Sequence, residues 1–360
     1  MFWLTGSLRR SRFPLRCRIR KGRLQALPKK GIFMQFIDMH CDTLLMLMMK
    51  DPERSDLYES EFTAVDLKRM RRAHELARFF AVFLPPASSF EELGIKAKTD
   101  EEYIAACRDI LLKNVKKHSD IIAMAGNADE IEKNKKEGKM SAVLTMEDGR
   151  AVLGKMENLK RFYDMGFRAI SLTWNYENCF GYPNSSNPKV MKAGLKPFGK
   201  EAVEYMQELG ILVDVSHLSD GGFWDVVSIA KKPFAATHSD CRAISPHQRN
   251  LTDEMIKALS EAGGVAGINF CPEFLNPDLE KTKSSAALMA KHARHMADVG
   301  GIECVGIGSD LDGIDGDIEV KDCAHMGLFE DALKKEGFSQ KDIERILYKN
   351  VLRVIKEAVK

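Results

Sequence analysis

Histidines and acidic residues directly follow several apolar segments of this 360-residue sequence. The positions are His40 and Asp42, Glu147 and Asp148, His217, His238 and Asp240, and Asp310 and Asp312. Residues two apart in an extended segment share a face, so we expect His40 and Asp42 to point the same way. Imidazoles and carboxylates together form a nitrogen and oxygen donor set suited to zinc or a similar divalent ion. A set of five such ligands is too large for one tetrahedral metal site. It favours two ions that share a bridging carboxylate and a bridging hydroxide.

The apolar segments that precede these residues predict the elements that position them. Eight segments read as strands, at 35–39, 77–84, 141–146, 168–173, 211–215, 233–237, 264–270 and 304–309. Their near-continuous apolar character is typical of parallel strands covered on both faces. Helical patterns separate them; for example, Thr99 and Glu102 form the ends of a capping box, and Gly210 ends a helix that starts near Phe198.

Eight strands with helical crossovers most simply close into an α/β fold of the (β/α)₈ TIM barrel type, whose active sites lie at the C-terminal ends of the strands. The strand-end residues should therefore converge. A doubly wound open sheet is the alternative, but no Gly-x-Gly-x-x-Gly motif follows the first strand. The other six histidines stand in helical or loop contexts and are expected to serve packing or the surface.

The charges are distributed unevenly. Residues 1–30 contain ten lysines or arginines and no acidic residue, so the remaining chain has 44 basic against 52 acidic side chains. A mildly acidic folded part argues against a nucleic-acid partner. We expect residues 1–33 to be a disordered leader, or to result from a mis-assigned start with Met34 as the first residue, and residues 34–360 to form a single barrel domain.

Two further features indicate the compartment. No apolar stretch reaches the 18 or more residues that would span a bilayer, so no membrane association is expected. The eight cysteines are scattered without a Cys-x-x-Cys pair, which fits reduced thiols in a cytoplasmic protein.

Six motifs are together specific to one family. They are IDMHCDTL, VLTMEDG, DVSHLS, THSDCRAISPHQRN, GVAGINF and VGIGSDLDG, and the likeness that they carry extends over essentially residues 34–356. In these motifs the chain resembles the membrane (renal) dipeptidases, the zinc dipeptidases of peptidase family M19. The resemblance implies a metal-dependent TIM-barrel hydrolase that cleaves small dipeptides with a hydroxide bridging two divalent ions, with Zn²⁺ as the expected metal. It also implies a homodimer as an assembly to test.

The resemblance further implies a role for each matched residue. The metal ligands would be His40 and Asp42 for one ion, His217 and His238 for the other, and Glu147 as the bridging, catalytic carboxylate. Asp312 would move the proton from water to the leaving amine. Arg249 would bind the terminal carboxylate of the substrate.

One position departs from the family pattern. Relatives with a histidine in a Leu-Thr-His run use it to stabilise the developing oxyanion, whereas this sequence reads Leu172-Thr173-Trp174-Asn175. An indole donates one hydrogen bond but carries no positive charge at neutral pH. We therefore expect Trp174 and Asn175 to contact the substrate, with one of them or a metal ion serving as the oxyanion donor.

Three other functions are compatible with parts of the pattern. A binuclear hydrolase of cyclic amides or lactones would have His-x-His and a bridging lysine, where this chain has His-x-Asp and Glu147. A metal-dependent phosphatase would need more histidines and a basic phosphate pocket. A non-catalytic metal-binding protein would have no use for Asp312 and Arg249 beside the ligands.

Overall fold

A computed structural model describes residues 34–50, 56–279 and 281–360. The predicted basic leader, residues 1–33, lies outside the described residues. The described strands are Phe36–Asp38 (β1), Glu75–Phe83 (β2), Ile122–Met124 (β3), Met140–Glu147 (β4), Phe167–Ser171 (β5), Leu212–Asp214 (β6), Ala235–Ala236 (β7), Val265–Ile268 (β8), Lys283–Ser284 (β9), Val305–Ile307 (β10) and Asp317–Ile318 (β11).

Eight of these strands close into a parallel barrel. Their order around the ring is β1, β2, β4, β5, β6, β7, β8 and β10, and β10 pairs with β1 again. The longest pairing joins β2 to β4 from Ala77↔Ser141 to Phe83↔Glu147. Each of the eight strands expected from the sequence is present, which confirms the predicted (β/α)₈ barrel.

Three short strands were not predicted. β3 pairs with the first residues of β4, Met140–Ala142, and β5 pairs with the same edge of β4 from Leu144 onward. β9 and β11 pair with each other in a separate two-stranded sheet. β9 (Lys283–Ser284) and β11 (Asp317–Ile318) lack the near-continuous apolar segment by which the barrel strands were recognised, and β3 is a three-residue apolar segment outside the ring.

The described helices cover the outside of the barrel and connect its strands. They are Thr43–Lys50 (α1), Leu67–Arg72 (α2), Asp100–Lys117 (α3), Ala128–Lys136 (α4), Met156–Asp164 (α5), Pro188–Met191 (α6), Pro197–Leu209 (α7), Asp220–Ile229 (α8), Asp253–Glu261 (α9), Pro272–Leu275 (α10), Ala286–Gly300 (α11), Gly327–Lys335 (α12), Gln340–Glu344 (α13) and Asn350–Ala358 (α14). None of the described helices has the length and apolar character needed to cross a membrane.

Local signals account for several helix ends. Thr99 caps α3, because its side chain accepts a hydrogen bond from the Glu102 N–H at 3.2 Å. Ser339 and Asp342 form a reciprocal capping box at α13. α7 ends at Gly210, whose φ of 89° lies in the left-handed region that glycine adopts without strain.

A fully buried ion cluster links β1 and β2 and reaches the residues that follow β10. Arg78 Nη1 lies 2.9 Å from Asp38 Oδ2, and Arg78 Nε lies 2.7 Å from Glu75 Oε1. Asp38 Oδ1 accepts hydrogen bonds from the N–H groups of His40, at 3.2 Å, and Ser309, at 2.9 Å. The cluster therefore holds the backbone at the ends of β1 and β10, from which His40 and Asp310 project.

Candidate active site

The predicted metal ligands meet at one end of the barrel. Glu147 is the last residue of β4, and the others follow β1, β6 and β7 by two to four residues. They are His40 and Asp42 after β1, His217 after β6 and His238 after β7. All of these side chains are buried. This is the C-terminal end of the strands, where barrels of this kind place their active sites.

Glu147 lies between the three histidines. Its Oε1 is 2.9 Å from His217 Nε2 and 3.6 Å from His238 Nε2, and its Oε2 is 3.4 Å from His40 Nε2. The two imidazoles on the Oε1 side are close to each other, with 3.1 Å between the Nε2 atoms of His217 and His238. One carboxylate oxygen thus faces each half of the cluster, as a bridging ligand requires.

The second half of the cluster is acidic. His40 Nε2 lies 3.7 Å from Asp42 Oδ2 and 3.8 Å from Asp310 Oδ1. Ligand atoms of His40, Glu147 and His238 lie within 4.8 Å of one another, and so do those of His40, Asp42 and Asp310. A glycine makes room here, because a Cβ at Gly313 would overlap Asp42 Oδ2.

The residues present fit divalent metal ions. Among the described residues, His40 Nε2 and Asp42 Oδ1 are buried and have no hydrogen-bond partner. Unpartnered buried polar atoms are costly and rare in folded proteins, so they indicate a missing ligand. A cation bound between them would satisfy both atoms, and the mixed nitrogen and oxygen donors are those that zinc and related ions prefer.

A hydrogen-bonded chain orients His238. Thr237 Oγ1 donates to Asp214 Oδ2 at 2.6 Å and lies 2.8 Å from His238 Nδ1. Asp214 Oδ1 accepts from the N–H groups of Ser216 and Thr237, both at 2.9 Å. Because the single threonine proton goes to the carboxylate, His238 Nδ1–H must donate to the hydroxyl. The Nε2 lone pair is then directed at the cluster, as in the carboxylate-linked histidines of metal sites.

His217 has a separate orienting partner. Its Nδ1 lies 3.1 Å from Asn175 Oδ1, which can accept the Nδ1 proton and leave Nε2 unprotonated. His217 has a φ of 67°, in the left-handed region that non-glycine residues rarely adopt. Such backbone strain is typical of functional sites. Asn175, which the sequence predicts to contact the substrate, is in contact with a predicted metal ligand.

Burial and charge set the protonation of the cluster. Burial holds the pKa values of His217 and His238 well below the usual histidine value, so both are neutral and able to bind metal. Burial likewise raises the pKa of Glu147 to about 7. For His40, burial lowers the pKa, but Glu147 and Asp42 outweigh this effect and raise it well above the usual value. A bound cation would favour the ionised carboxylates and the neutral imidazole.

The two aspartates after β10 point to different surroundings. Asp310 joins the cluster at His40, and its Oδ2 accepts a hydrogen bond from Asn269 Nδ2 at 2.9 Å. Asp312 Oδ2 accepts from Thr43 Oγ1 at 2.6 Å, and its Oδ1 accepts from the Ala64 N–H at 2.5 Å. The structure therefore brings Asp310 to the predicted ligands, whereas both oxygens of Asp312 bind the residues that follow β1 and precede α2.

Arg249 is a buried cation beside the ligands. Its Nη1 donates to Ser239 Oγ at 2.6 Å, its Nη2 donates to the His238 carbonyl at 2.9 Å, and its Nε has no partner in the part of the chain that the structure describes. Within the described ranges no carboxylate forms an ion pair with it. Burial lowers the pKa of the guanidinium, but arginine remains charged at neutral pH.

Trp174 contributes an aromatic surface next to the cluster. Its ring centroid lies 6.4 Å from that of His217 and 4.8 Å from that of Phe83. Phe83 is paired with Glu147 in the barrel register. The sequence predicts that Trp174 contacts the substrate, and in the structure its ring lies beside the predicted ligand His217.

Comparison with known proteins finds related sequences. A family model described as membrane dipeptidase (peptidase family M19) matches residues 30–360. An uncharacterized protein in the pqqA 5′ region of Klebsiella pneumoniae is 32% identical over 234 residues, covering 64% of this chain and 86% of the relative. The dipeptidase tcpJ of Claviceps purpurea is 27% identical over 301 residues, covering 81% of this chain and 69% of that protein.

Solved structures show the same fold. A metallopeptidase from Rhodobacter sphaeroides, crystallised with a phosphinate mimic of the dipeptide L-Ala-D-Ala, superposes with a TM-score of 0.81 at 24% sequence identity. The match covers 91% of this chain and 99% of that one. The probable dipeptidase PvdM from Pseudomonas aeruginosa gives a TM-score of 0.78 at 20% identity, covering 90% and 95% of the two chains.

Proposed function

The chain belongs to the membrane dipeptidase family, peptidase family M19, and we propose that the cluster around Glu147 is its dipeptide-hydrolysing site. The family makes the chain a metal-dependent dipeptidase. The observation that carries the assignment of the site is the position of Glu147, whose two oxygens face His40 on one side and His217 with His238 on the other.

Two Zn²⁺ ions are the proposed cofactor. His40 and Asp42 would hold one ion, His217 and His238 the other, and Glu147 would bridge them. When bound, such ions lower the pKa of water towards neutrality and polarise the scissile carbonyl. The unpartnered His40 Nε2 and Asp42 Oδ1 support this arrangement. The carboxylate bridge, in place of a lysine, counts against a hydrolase of cyclic amides.

Asp310 is the proposed proton carrier, in the place that the family resemblance suggested for Asp312. Asn269 holds one of its oxygens, and the other faces His40. Burial raises the pKa of Asp310 to about 6. A group that accepts and then returns a proton works best when its pKa is close to the pH of the reaction. In this role it would take a proton from the attacking water and deliver it to the leaving amine.

Arg249 is the proposed anchor for the substrate's terminal carboxylate. Its buried charge has no carboxylate partner within the described part of the chain, and its Nε is unpartnered. Nearby carboxylates, Asp310 foremost, attract the guanidinium, but none pairs with it directly within the described ranges, so an anionic ligand at this position would stabilise it further. A carboxylate bound here places the preceding peptide bond at a set distance from Arg249, which favours dipeptides over longer peptides.

Cytoplasmic localisation and a homodimer complete the proposal. All seven cysteines in the described ranges are free, which fits a reducing compartment. The dimer rests on the family resemblance, and light scattering of the purified chain would test it.

A metal analysis combined with a substrate panel tests the function. The panel contains L-L and L-D dipeptides, a dihydropyrimidine and a phosphate ester. We expect two metal ions per chain and hydrolysis of dipeptides alone, with zinc bound when the protein is purified without added metal. Glu147→Gln should bind less metal and lose activity. Turnover of the dihydropyrimidine or the ester without turnover of dipeptides would contradict the proposal.

A further inference from the structure

Three aromatic side chains form a continuous surface at one side of the barrel mouth. We call Phe83, Trp174 and Tyr176 the aromatic wall. The Trp174 centroid lies 4.8 Å from that of Phe83 and 5.7 Å from that of Tyr176. Phe83 is buried, Trp174 is half-buried and Tyr176 is 51% exposed, so the wall leads from the interior to solvent.

The aromatic wall adjoins the proposed metal ligands. Phe83 ends β2 in register with Glu147, the last residue of β4. The Trp174 centroid lies 6.4 Å from the His217 ring. A substrate whose carbonyl lies over Glu147 and His217 would therefore have the wall within reach of a neighbouring side chain.

The wall and Arg249 lie on opposite sides of the barrel. Arg249 binds the Ser239 side chain and the His238 carbonyl, just after β7, and it packs 5.7 Å from the ring of Phe274, which lies after β8. In the ring of eight strands β7 is opposite β2, and β8 is opposite β4. The wall occupies the sector of β2, β4 and β5, so the ligand cluster separates it from Arg249.

We propose that the aromatic wall binds the side chain of the amino-terminal residue of the dipeptide and selects large apolar or aromatic groups there. The inference rests on the proposed function, because a carboxylate held by Arg249 directs the other end of the substrate across the ligands towards the wall. Aromatic rings stack favourably on one another and on apolar groups. The charged residue nearest in sequence, Glu177, is paired with Lys196 at 2.6 Å.

The test measures selectivity at each end of the substrate separately. The metal-loaded enzyme is assayed with Phe-Ala, Leu-Ala, Ala-Ala and Asp-Ala, and with Ala-Phe, Ala-Leu and Ala-Asp. We expect kcat/KM for Phe-Ala to exceed that for Ala-Ala by about tenfold or more, as apolar pockets typically discriminate. The Ala-X series should show less discrimination. Inhibition constants of phosphinate mimics of Phe-Ala and Ala-Ala give the same ratio without turnover.

Two variants separate selectivity from general damage. In Trp174→Ala the Phe-Ala to Ala-Ala ratio should fall to within about threefold. Trp224→Ala is the matched control, because Trp224 is 42% exposed on α8, outside the wall, and its removal should keep the wild-type ratio.

Equal losses for every substrate in Trp174→Ala would show that the ring only shields His217, which overturns the proposal. Stronger discrimination in the Ala-X series would also overturn it. A metal-loaded enzyme that cleaves no dipeptide would overturn the proposed function as well.

Discussion

Asp310 Oδ1 lies 3.8 Å from His40 Nε2, whereas the carboxylate of Asp312 is bound by Thr43 and the Ala64 N–H. Both aspartates belong to the same Asp-x-Asp motif after β10. Their backbones have φ values of 60° and 72°, in the left-handed region. Alternating side chains share a face only in extended backbone, so this turn sends the two carboxylates to different partners.

Exchanging each aspartate for asparagine should separate the two roles. Asp310→Asn should lower kcat by roughly 10²–10⁴-fold, the usual effect of removing a general acid or base. Asp312→Asn should mainly lower stability, since it disturbs the contacts with Thr43 and Ala64. Steady-state kinetics and urea unfolding of both variants check this. A large loss of kcat in Asp312→Asn, with Asp310→Asn active, would return the catalytic role to Asp312.

Replacing Thr237 by valine should weaken metal binding. The change removes the hydroxyl that links Asp214 to His238 Nδ1, so the imidazole loses the partner that fixes its tautomer and orientation. Loss of such partners typically costs roughly 10–100-fold in metal affinity. Competition with a chromogenic chelator measures the effect, and Thr237→Ser, which keeps the hydroxyl, should retain wild-type affinity. Equal affinities for valine and serine would argue against the orienting role.

Removing the charge of Arg78 should destabilise the barrel strongly. Arg78→Met leaves the buried carboxyl groups of Asp38 and Glu75 without their partner. Breaking a buried ion pair in this way costs about 3–5 kcal/mol of unfolding free energy. Lys68→Met is the control, because Lys68 and its partner Glu59 are both exposed, and such a surface pair contributes little to stability. Urea unfolding of metal-free protein compares them, and a cost near that of the control would refute the structural role.

Because His292 resists protonation in the folded state, it should make the protein less stable in mild acid. Its Nδ1 accepts the Cys241 N–H at 3.1 Å, and its Nε2 lies 3.0 Å from the Leu275 carbonyl. Burial lowers the pKa of His292 to about 4, against 6.5 for the free side chain. The unfolded chain therefore takes up a proton at higher pH than the folded chain does. As pH falls from 6.5 to 4, this group lowers the free energy of unfolding by at most about 1.4 kcal/mol per pH unit.

The pH effect can be isolated with a neutral replacement. In His292→Gln the side-chain amide can both accept and donate a hydrogen bond but does not titrate. The free energy of unfolding of metal-free His292→Gln, measured at several pH values between 4 and 7, should decline less steeply than that of the wild type. Parallel slopes in the two proteins would show that His292 is not the group responsible.

Much of the fold and of the ligand set follows from the sequence. Buried parallel strands have near-continuous apolar segments, so all eight barrel strands could be recognised without the structure. The barrel rule then brings strand-end residues such as His40, Glu147 and His217 to one place, although they are far apart in the chain.

The finer features depend on backbone turns and on contacts between distant residues. No spacing rule distinguishes Asp310 from Asp312, because the left-handed φ values appear only in the folded chain. The sequence also singled out Thr237, as part of the THSDCRAISPHQRN motif, and Asn175, as a substrate contact, but nothing in their spacing indicates that they orient His238 and His217. The ion pairs of Arg78 could have been expected from the sequence, since a charge inside the apolar segment 77–84 requires a buried partner.

The closure of the barrel between β1 and β10 also bears on when the enzyme becomes active. His40 comes from the first strand, and Asp310 follows the last strand of the ring, so their half of the cluster straddles the seam where the barrel shuts. A nascent chain on the ribosome cannot assemble this seam until its final strand has emerged. Metal uptake at full affinity should accordingly follow synthesis, and premature termination before β10 should yield an inert product.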